Sequence, residues 1–282
     1  MPSQSFLLRS LLLSFGLLAA AGASAADQDQ LLEAINAYRG DVQSCAGQAS
    51  QVLPPLSPDP RLALPASAGE WKAALSRAGY PMSSVRLLSL TGPRDVTAAM
   101  KALQESFCQV LLDPQFVDVG IVREGDDWRV LLGRPLLQGK LGTWEAEGQK
   151  LLQAINAARS HGRQCGGQAF TPAPALSWNA TLGGTAEAHS RDMANNNYFD
   201  HKGRDGSTPG DRAELNGYAG QRIGENIAAG QGNAQKVVDS WLSSPGHCAN
   251  LMNPQYSELG AAYAADPKSD AGIYWTAMFG SP

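Results

Sequence analysis

The sequence predicts an α+β fold built twice in tandem, and three observations carry that expectation. Four blocks of the chain recur in the same order, each copy opens on apolar residues at helical spacing, and each copy ends on two apolar runs around a turn-forming stretch. Helices first and antiparallel strands late in each copy make the class α+β.

The chain begins "MPSQSFLLRSLLLSFGLLAAAGASAADQ". One basic residue, Arg9, precedes an apolar run that ends at Ala23-Ser24-Ala25, which predicts a signal peptide over residues 1–25 with a cut after Ala25. The run is shorter than the ~20 residues of a spanning helix. No other long apolar stretch follows, so the mature protein is expected to lack a transmembrane segment and to be periplasmic or secreted. With 22 basic against 26 acidic residues and no Lys/Arg-rich run, nothing in its charge recruits nucleic acid.

After the leader, "LLEAINAYR" (31–39) matches "LLQAINAAR" (151–159) at seven of nine positions. Apolar residues at 31, 32 and 35, and again at 151, 152 and 155, place one helix at the head of each copy. A cysteine follows each helix, Cys45 in "CAGQ" and Cys165 in "CGGQ". Then come a Pro-rich loop, "PPLSPDPRLA" (54–63) answering "PALSWNATLG" (174–183), and "SRAGY" (76–80) answering "ELNGY" (214–218). The fourth pair is "ESFCQVLLDPQF" (105–116) and "PGHCANLMNPQY" (245–256). Hairpins are expected from "VDVGIV" and "WRVLLG" around "REGDD", and from "LGAAYAA" and "IYWTAMFG" around "DPKSDAG". The copies span 27–136 and 148–282, joined by the linker "LQGKLGTWEAE" (137–147), whose Gly139 and Gly142 predict halves that fold separately.

Four cysteines in an exported chain predict disulfides, with three possible connectivities. Cys45 matches Cys165 and Cys108 matches Cys248, so a duplicated fold implies the pairs Cys45–Cys108 and Cys165–Cys248. Each would close a long loop and stabilise by roughly 4 kcal/mol in the chain-entropy model.

The offset between copies grows from 120 to about 140, so the first copy lacks about 20 residues in its middle. The second copy carries "YFDHKGRDGSTPGDR" (198–212) there, and all four histidines of the protein fall in that copy. The candidates for a site are His189, His201, Glu225, Ser244 and His247. Leu182, Ala186, His189 and Met193 share one helical face, which fits a histidine at the edge of the core equally well. Glu225 stands among apolar and glycine positions in "IGENIAAG", and a buried carboxylate needs a histidine or a cation beside it. His161, beside a helix end, reads as solvated. Ser244 precedes Pro245 and reads as the cap of the next helix; a hydrolytic triad of Ser244, His247 and Glu225 is the competing reading.

The run "YFDHKGRDGSTPGDRAELNGY", then "GENIAAG", "VVDSWLSSPGHCANLMNPQYSELG" and "YWTAMFG" resembles bacterial members of the CAP superfamily: the secreted cysteine-rich, antigen 5 and pathogenesis-related 1 proteins, also called SCP/TAPS. The resemblance covers nearly all of 148–282 and implies an α-β-α sandwich with an open cleft. It implies cleft roles for His201, Glu225 and His247, which the family uses to hold a divalent cation such as zinc; the family's second glutamate falls on Ser244. At the family positions the first copy offers Gly69 opposite His189 and Phe107 opposite His247, so it reads as a degenerate CAP-like domain with its scaffold kept and its site gone. The expected function is an exported protein whose cleft binds a small molecule, lipid or cell-envelope component. The alternatives are a metal-dependent hydrolase of peptide or cell-wall substrates and an adaptor role for the tandem.

Overall fold

The computed structural model describes residues 14–136 and 141–282, with side chains from residue 25 onward. The first half runs α1 (Ser14–Arg39), β1 (Ser44–Cys45), β2 (Gln48–Ala49), β3 (Ser57–Pro58), α2 (Trp71–Arg77), β4 (Met82–Thr91), α3 (Val96–Leu111), β5 (Asp118–Glu124) and β6 (Asp127–Pro135). The second runs α4 (Trp144–Arg159), β7 (Arg163–Cys165), β8 (Gln168–Phe170), β9 (Ser177–Trp178), α5 (Ala180–Asn196), α6 (Pro209–Leu215), β10 (Arg222–Ala229), α7 (Ala234–Leu242), α8 (Pro245–Met252), β11 (Glu258–Ala265) and β12 (Ile273–Ser281).

Both halves carry a four-stranded mixed sheet of the same topology, β3-β5-β6-β4 and β9-β11-β12-β10. In each, the short first strand is parallel to its neighbour and the rest are antiparallel. Helices cover both faces of each sheet. In the second half α4, α7 and α8 pack on one face around Trp241 and Trp275, and α5 and α6 pack on the other. In the first half α1 and α3 take one face, and the 3-10 turn at Pro60–Leu62 with α2 takes part of the other. The architecture is an α-β-α sandwich, twice.

The predicted hairpins form, with the first one tighter than expected. Glu124 pairs with Asp127, so the turn shrinks to Gly125-Asp126, with Gly125 in the left-handed region at φ +65. The edge strands β4 and β10 carried no expectation. Cys45–Cys108 and Cys165–Cys248 pair as the repeat implied, with Cα separations of 5.8 and 5.4 Å. The expected linker 137–147 is shorter than it reads: α4 begins at Trp144, with the Thr143 side chain accepting from Ala146 N. Residues 137–140, including Gly139, and residues 1–13 of the expected leader lie outside the described residues, while the expected cut after Ala25 falls within α1. Among the described residues no helix is long and apolar enough to cross a membrane.

One buried arginine per half explains why the first and fourth repeated blocks travel together. Arg159 is fully buried and donates to the carbonyls of Pro174, Leu251, Asn253 and Tyr256, at 2.9, 2.7, 2.9 and 3.3 Å. Arg39 does the same for Pro54, Leu111, Asp113 and Phe116, at 3.3, 2.5, 3.3 and 3.2 Å. Each guanidinium fastens the opening helix to the Pro-rich loop and to the segment entering the hairpin. Asn36 and Asn156 repeat a second device: each side chain bonds both N–H and C=O of one residue 20 positions on, Leu56 or Leu176.

The residues the first half lacks belong to α5 and the loop after it. Its counterpart of the 17-residue α5 is a single 3-10 turn, Pro60–Leu62. The start is kept because the sheet requires it. A Cβ on Gly260 would lie 2.0 Å from Gly183 N, and one on Gly120 would lie 2.2 Å from the Leu62 carbonyl carbon, so both halves seat the same helix start against a glycine. Further along, the lost helix leaves its face of the sheet in water, and the side chains follow. Ile227 and Tyr274, buried under α5, correspond by strand register to Ser89 and Asp127, both exposed.

The halves also pack on each other. Lys236 of α7 reaches Asp59 Oδ2 at 2.7 Å and Asp118 Oδ1 at 3.0 Å in the first half. Ser57 Oγ donates to Lys236 O, Gln231 Nε2 to Pro55 O, and Asn36 Nδ2 to Ser243 O.

Candidate functional site

The site is assembled at the β10 edge of the second sheet. Helix α5 has the face its spacing predicted: Leu182, Ala186, His189 and Met193 are all buried. Its end is set by Asn197 in the left-handed region, φ 51, which turns the chain into the loop bearing His201. Thr208 and Asp211 form a capping box that starts α6 and aims Arg212 back at the sheet.

Glu225 is the hub. Its carboxylate is almost wholly buried and takes two partners: His201 Nδ1 lies 2.7 Å from Oε1, and Arg212 Nη2 donates to Oε2 at 2.6 Å. Arg212 also donates to the carbonyls of His201 and Ser207, both at 3.0 Å, which pins the loop. His189 Nε2 lies 3.0 Å from Asp200 O and 3.9 Å from Glu225 Oε1. Burial, offset in part by the Glu225 charge, holds the His189 imidazole below its ordinary range, so its Nε2–H donates to Asp200 O. That leaves Nδ1 buried with no partner. His189 thus sits buried at the core edge beside Glu225, and it is not among the residues that line the cleft.

Across the cleft, Ser244 occupies the N-cap position of α8 with Pro245 at N1, but its side chain does not cap the helix. This corrects the sequence expectation. The hydroxyl sits 2.8 Å from His247 Nδ1 instead, because three residues into the first turn the imidazole comes back over the cap position. The triad reading fails on the same geometry: Glu225 orients His201, not His247, so the three groups do not form a chain. Asn226 Nδ2 donates to His247 O at 3.1 Å, and Asn250 Nδ2 donates to Glu225 O and Asn226 Oδ1, tying α8 to β10. His161 is exposed, sits against Ser160 and Ala157, and is not among the cleft residues.

Sequence reading missed Arg212, Asn226 and Asn250. Arg212 was findable: the buried glutamate required a cation, and "TPGDR" supplied one. The asparagines carried no signal of their own.

His201, Glu225, Ser244 and His247 line one cleft of about 590 Å3. A second concavity of about 580 Å3 opens beside α6 and Tyr218, but it holds no histidine and neither oxygen of Glu225; the chemistry is in the first. The residues do not fit a metal ion. Among the described residues no group of three His, Cys, Asp or Glu side chains stands in position to hold one, and Arg212 and His201 already occupy the two Glu225 oxygens. A cation at Glu225 Oε2 would compete with the Arg212 guanidinium.

In the first half the site is erased position by position. Glu225 lies opposite Met278, which lies opposite Gly260; the matching row of the first sheet is Leu87, Leu131 and Gly120. Leu87 thus stands where Glu225 would, and Phe107 packs against the first core where His247 would line a cleft.

Burial first, and the neighbouring His201 charge second, push His247 from 6.5 down to about 4. Between those values the unfolded chain binds a proton that the folded one refuses, so stability falls as pH drops through that window. His189 shifts the same way. We expect His247→Phe to remove the larger part of the slope, on the order of 2 kcal/mol after allowance for partial exposure. Urea unfolding at pH 7 and pH 4 measures it; equal slopes in the two proteins would assign the loss to other groups.

Comparison with known proteins places this half. The model of the cysteine-rich secretory protein family, CAP, matches residues 152–279. An uncharacterized protein of Bacillus subtilis, YkwD, is 34% identical over 131 residues, which is 46% of this chain and 46% of that protein. An uncharacterized membrane protein of the same organism, YlbC, is 38% identical over 85 residues, 30% of this chain and 25% of that one. The chain thus spans less than half the length of either relative. Among solved structures, an extracellular protein containing an SCP domain from Bacillus anthracis is 25% identical, with a TM-score of 0.43 over 58% of this chain and 56% of that chain.

Proposed function

Residues 152–279 are a CAP domain, and from that premise we propose that the protein is an exported ligand-binding protein whose cleft at the β10 edge admits a small, polar, cell-envelope component such as a lipid headgroup. The observation that carries this reading is the roughly 590 Å3 cleft lined by His201, Glu225, Ser244 and His247, with hydroxyl, imidazole and amide groups facing a common space. The lining offers Tyr256, Ile223 and Pro245 as its larger apolar surfaces, which suits a headgroup better than an acyl chain. Two disulfides and the expected leader support an oxidising compartment outside the cytoplasm. The Glu225 carboxylate, bonded by His201 and Arg212, favours a cleft that works without a metal, and among the described residues Ser244, His247 and Glu225 do not line up as nucleophile, base and orienting acid.

Gly246 gives a clean test. It lines the cleft, and a Cβ there would meet nothing within 4 Å, so Gly246→Phe should fill the space without disturbing the fold. Native mass spectrometry of the exported protein, incubated with envelope lipid and glycan extracts, should show an adduct that Gly246→Phe reduces at least tenfold. No adduct from any extract, or an adduct indifferent to Gly246→Phe, would end the cleft reading. Zinc binding lost in His247→Phe would restore the cation in its place.

A further inference from the structure

The cleft has a second wall, and it comes from the half that has no site. Asn36, Ala37, Gly40 and Asp41 line the same space as His201 and His247. With Glu33, whose carboxylate accepts from the Gly166 backbone N–H, Asn36 and Ala37 share one stripe of α1 at offsets of three and four residues, and Gly40 and Asp41 follow just past the helix end. The stripe is held in place, not merely near. Asn36 is buried, and its amide nitrogen, beyond bonding Leu56 O as its twin Asn156 bonds Leu176 O, donates across the halves to Ser243 O at 3.0 Å. Ser243 is the residue before Ser244, so the first half grips the turn that carries the Ser244–His247 contact. The Lys236 bridges to Asp59 and Asp118 anchor the same interface from α7.

We infer that the ligand site is composite: the degenerate first half is retained as a wall that sets the aperture over His247 and the occupant that can enter. The inference rests on the cleft-binding reading for what enters, but the wall itself does not. Its chemistry adds one group the second half lacks. Apart from Glu225, which is fully engaged, Asp41 is the only carboxylate in the lining, and it is exposed. An occupant bearing an ammonium or several hydroxyl donors therefore gains a partner that the CAP half alone cannot provide. Ala37 and Gly40 keep the wall thin, and Ala37 is exposed, so a side chain added there projects into the opening and not into the core.

The test uses the full exported chain and diethyl pyrocarbonate as a probe of imidazole access, with peptide mass spectrometry reporting carbethoxylation at each histidine. His161, exposed and outside the cleft, is the internal standard. Ala37→Trp should slow modification of His247 at least fivefold relative to His161. Val42→Trp, at a 63% exposed position outside the lining, should leave the ratio within twofold. Asp41→Arg, on the wall and exposed, is the second variant should Ala37→Trp fail to fold, and it should slow His247 in the same direction. Wild-type access in a folded Ala37→Trp or Asp41→Arg protein overturns the composite site. If access falls but the adduct that Gly246→Phe removes is unaffected, the wall stands and the assignment of the ligand to this cleft is what fails.

Discussion

Replacing Arg159 with methionine is expected to destabilise the second half by about 4 kcal/mol. The side chain is fully buried and its guanidinium satisfies four backbone carbonyls, of Pro174, Leu251, Asn253 and Tyr256. Methionine fills much of the volume but donates nothing, and each buried carbonyl left without a partner costs about 1–3 kcal/mol before relaxation or water entry recovers part of it. Set against a total of roughly 5–15 kcal/mol for a folded domain, the loss is large. At roughly 2–4 °C per kcal/mol for a chain of this size, the melting temperature should fall by about 8–16 °C. Arg39→Met should do comparable damage to the first half, through Pro54, Leu111, Asp113 and Phe116. A thermal melt within 2 °C of wild type for Arg159→Met would show that the four carbonyls find other partners and that the repeated arginine is not what joins the blocks.

Lys236→Met is expected to cost about 3 kcal/mol, at the lower end for removing one partner of a buried ion pair, since the lysine keeps some exposure. The effect should fall on the interface. Asp59 retains Arg61 at 2.7 Å, and Asp118 retains the Tyr80 hydroxyl at 2.9 Å, but the charge linking them to α7 is gone. The two carboxylates respond to acid in opposite ways. Burial alone would raise Asp59, but bonds from Arg61 and Lys236 outweigh it and hold the carboxyl at about 2. Its contribution is therefore present above the ordinary 3.8 and is lost as pH falls through about 2. Asp118 is raised, with burial the largest cause and Lys236 opposing it, so its protonation relieves the fold instead of harming it. In hydrogen exchange, Lys236→Met should loosen residues 55–59 and 230–237 together while the hairpins of both sheets keep their protection. Unchanged exchange in those segments would mean that the halves are held by packing alone, for example by Val117 against Gly230.

How much of this was legible in the residues depends on whether a feature is repeated. The duplication showed the disulfide pairs, because two matched cysteines per copy leave one pairing that keeps each bridge within its own copy. It showed the opening helices and the closing hairpins, whose apolar periods are local properties of the chain. It also showed where the site had been lost, since Phe107 and the missing His201 loop are visible by subtraction. The matched arginines were visible too, in "AINAYR" and "AINAAR", although their partners were not. A buried guanidinium's acceptors are main-chain carbonyls, and every residue type provides the same carbonyl.

Other features needed the fold. The reading of Ser244 as a cap followed from Ser-Pro chemistry and gave the right backbone position; only the packed turn decided that the hydroxyl would prefer the imidazole of His247. The cation expected at His201, Glu225 and His247 followed from residue types; that Arg212 shares the Glu225 carboxylate with His201 was visible only in the fold. The junction of the halves was the least legible of all. Lys236 meets Asp59 and Asp118 across 177 and 118 residues of chain, and Asn36 meets Ser243 across 207. Within a copy, sequence alone determined the plan, because periodicity, capping and cysteine matching act over short spans or are written twice. Between the copies each contact occurs once, with no second instance to compare it with, and it exists only because the two halves pack against each other. That placement, which turns a helix of the siteless half into a wall of the other's cleft, was decided by the tertiary structure.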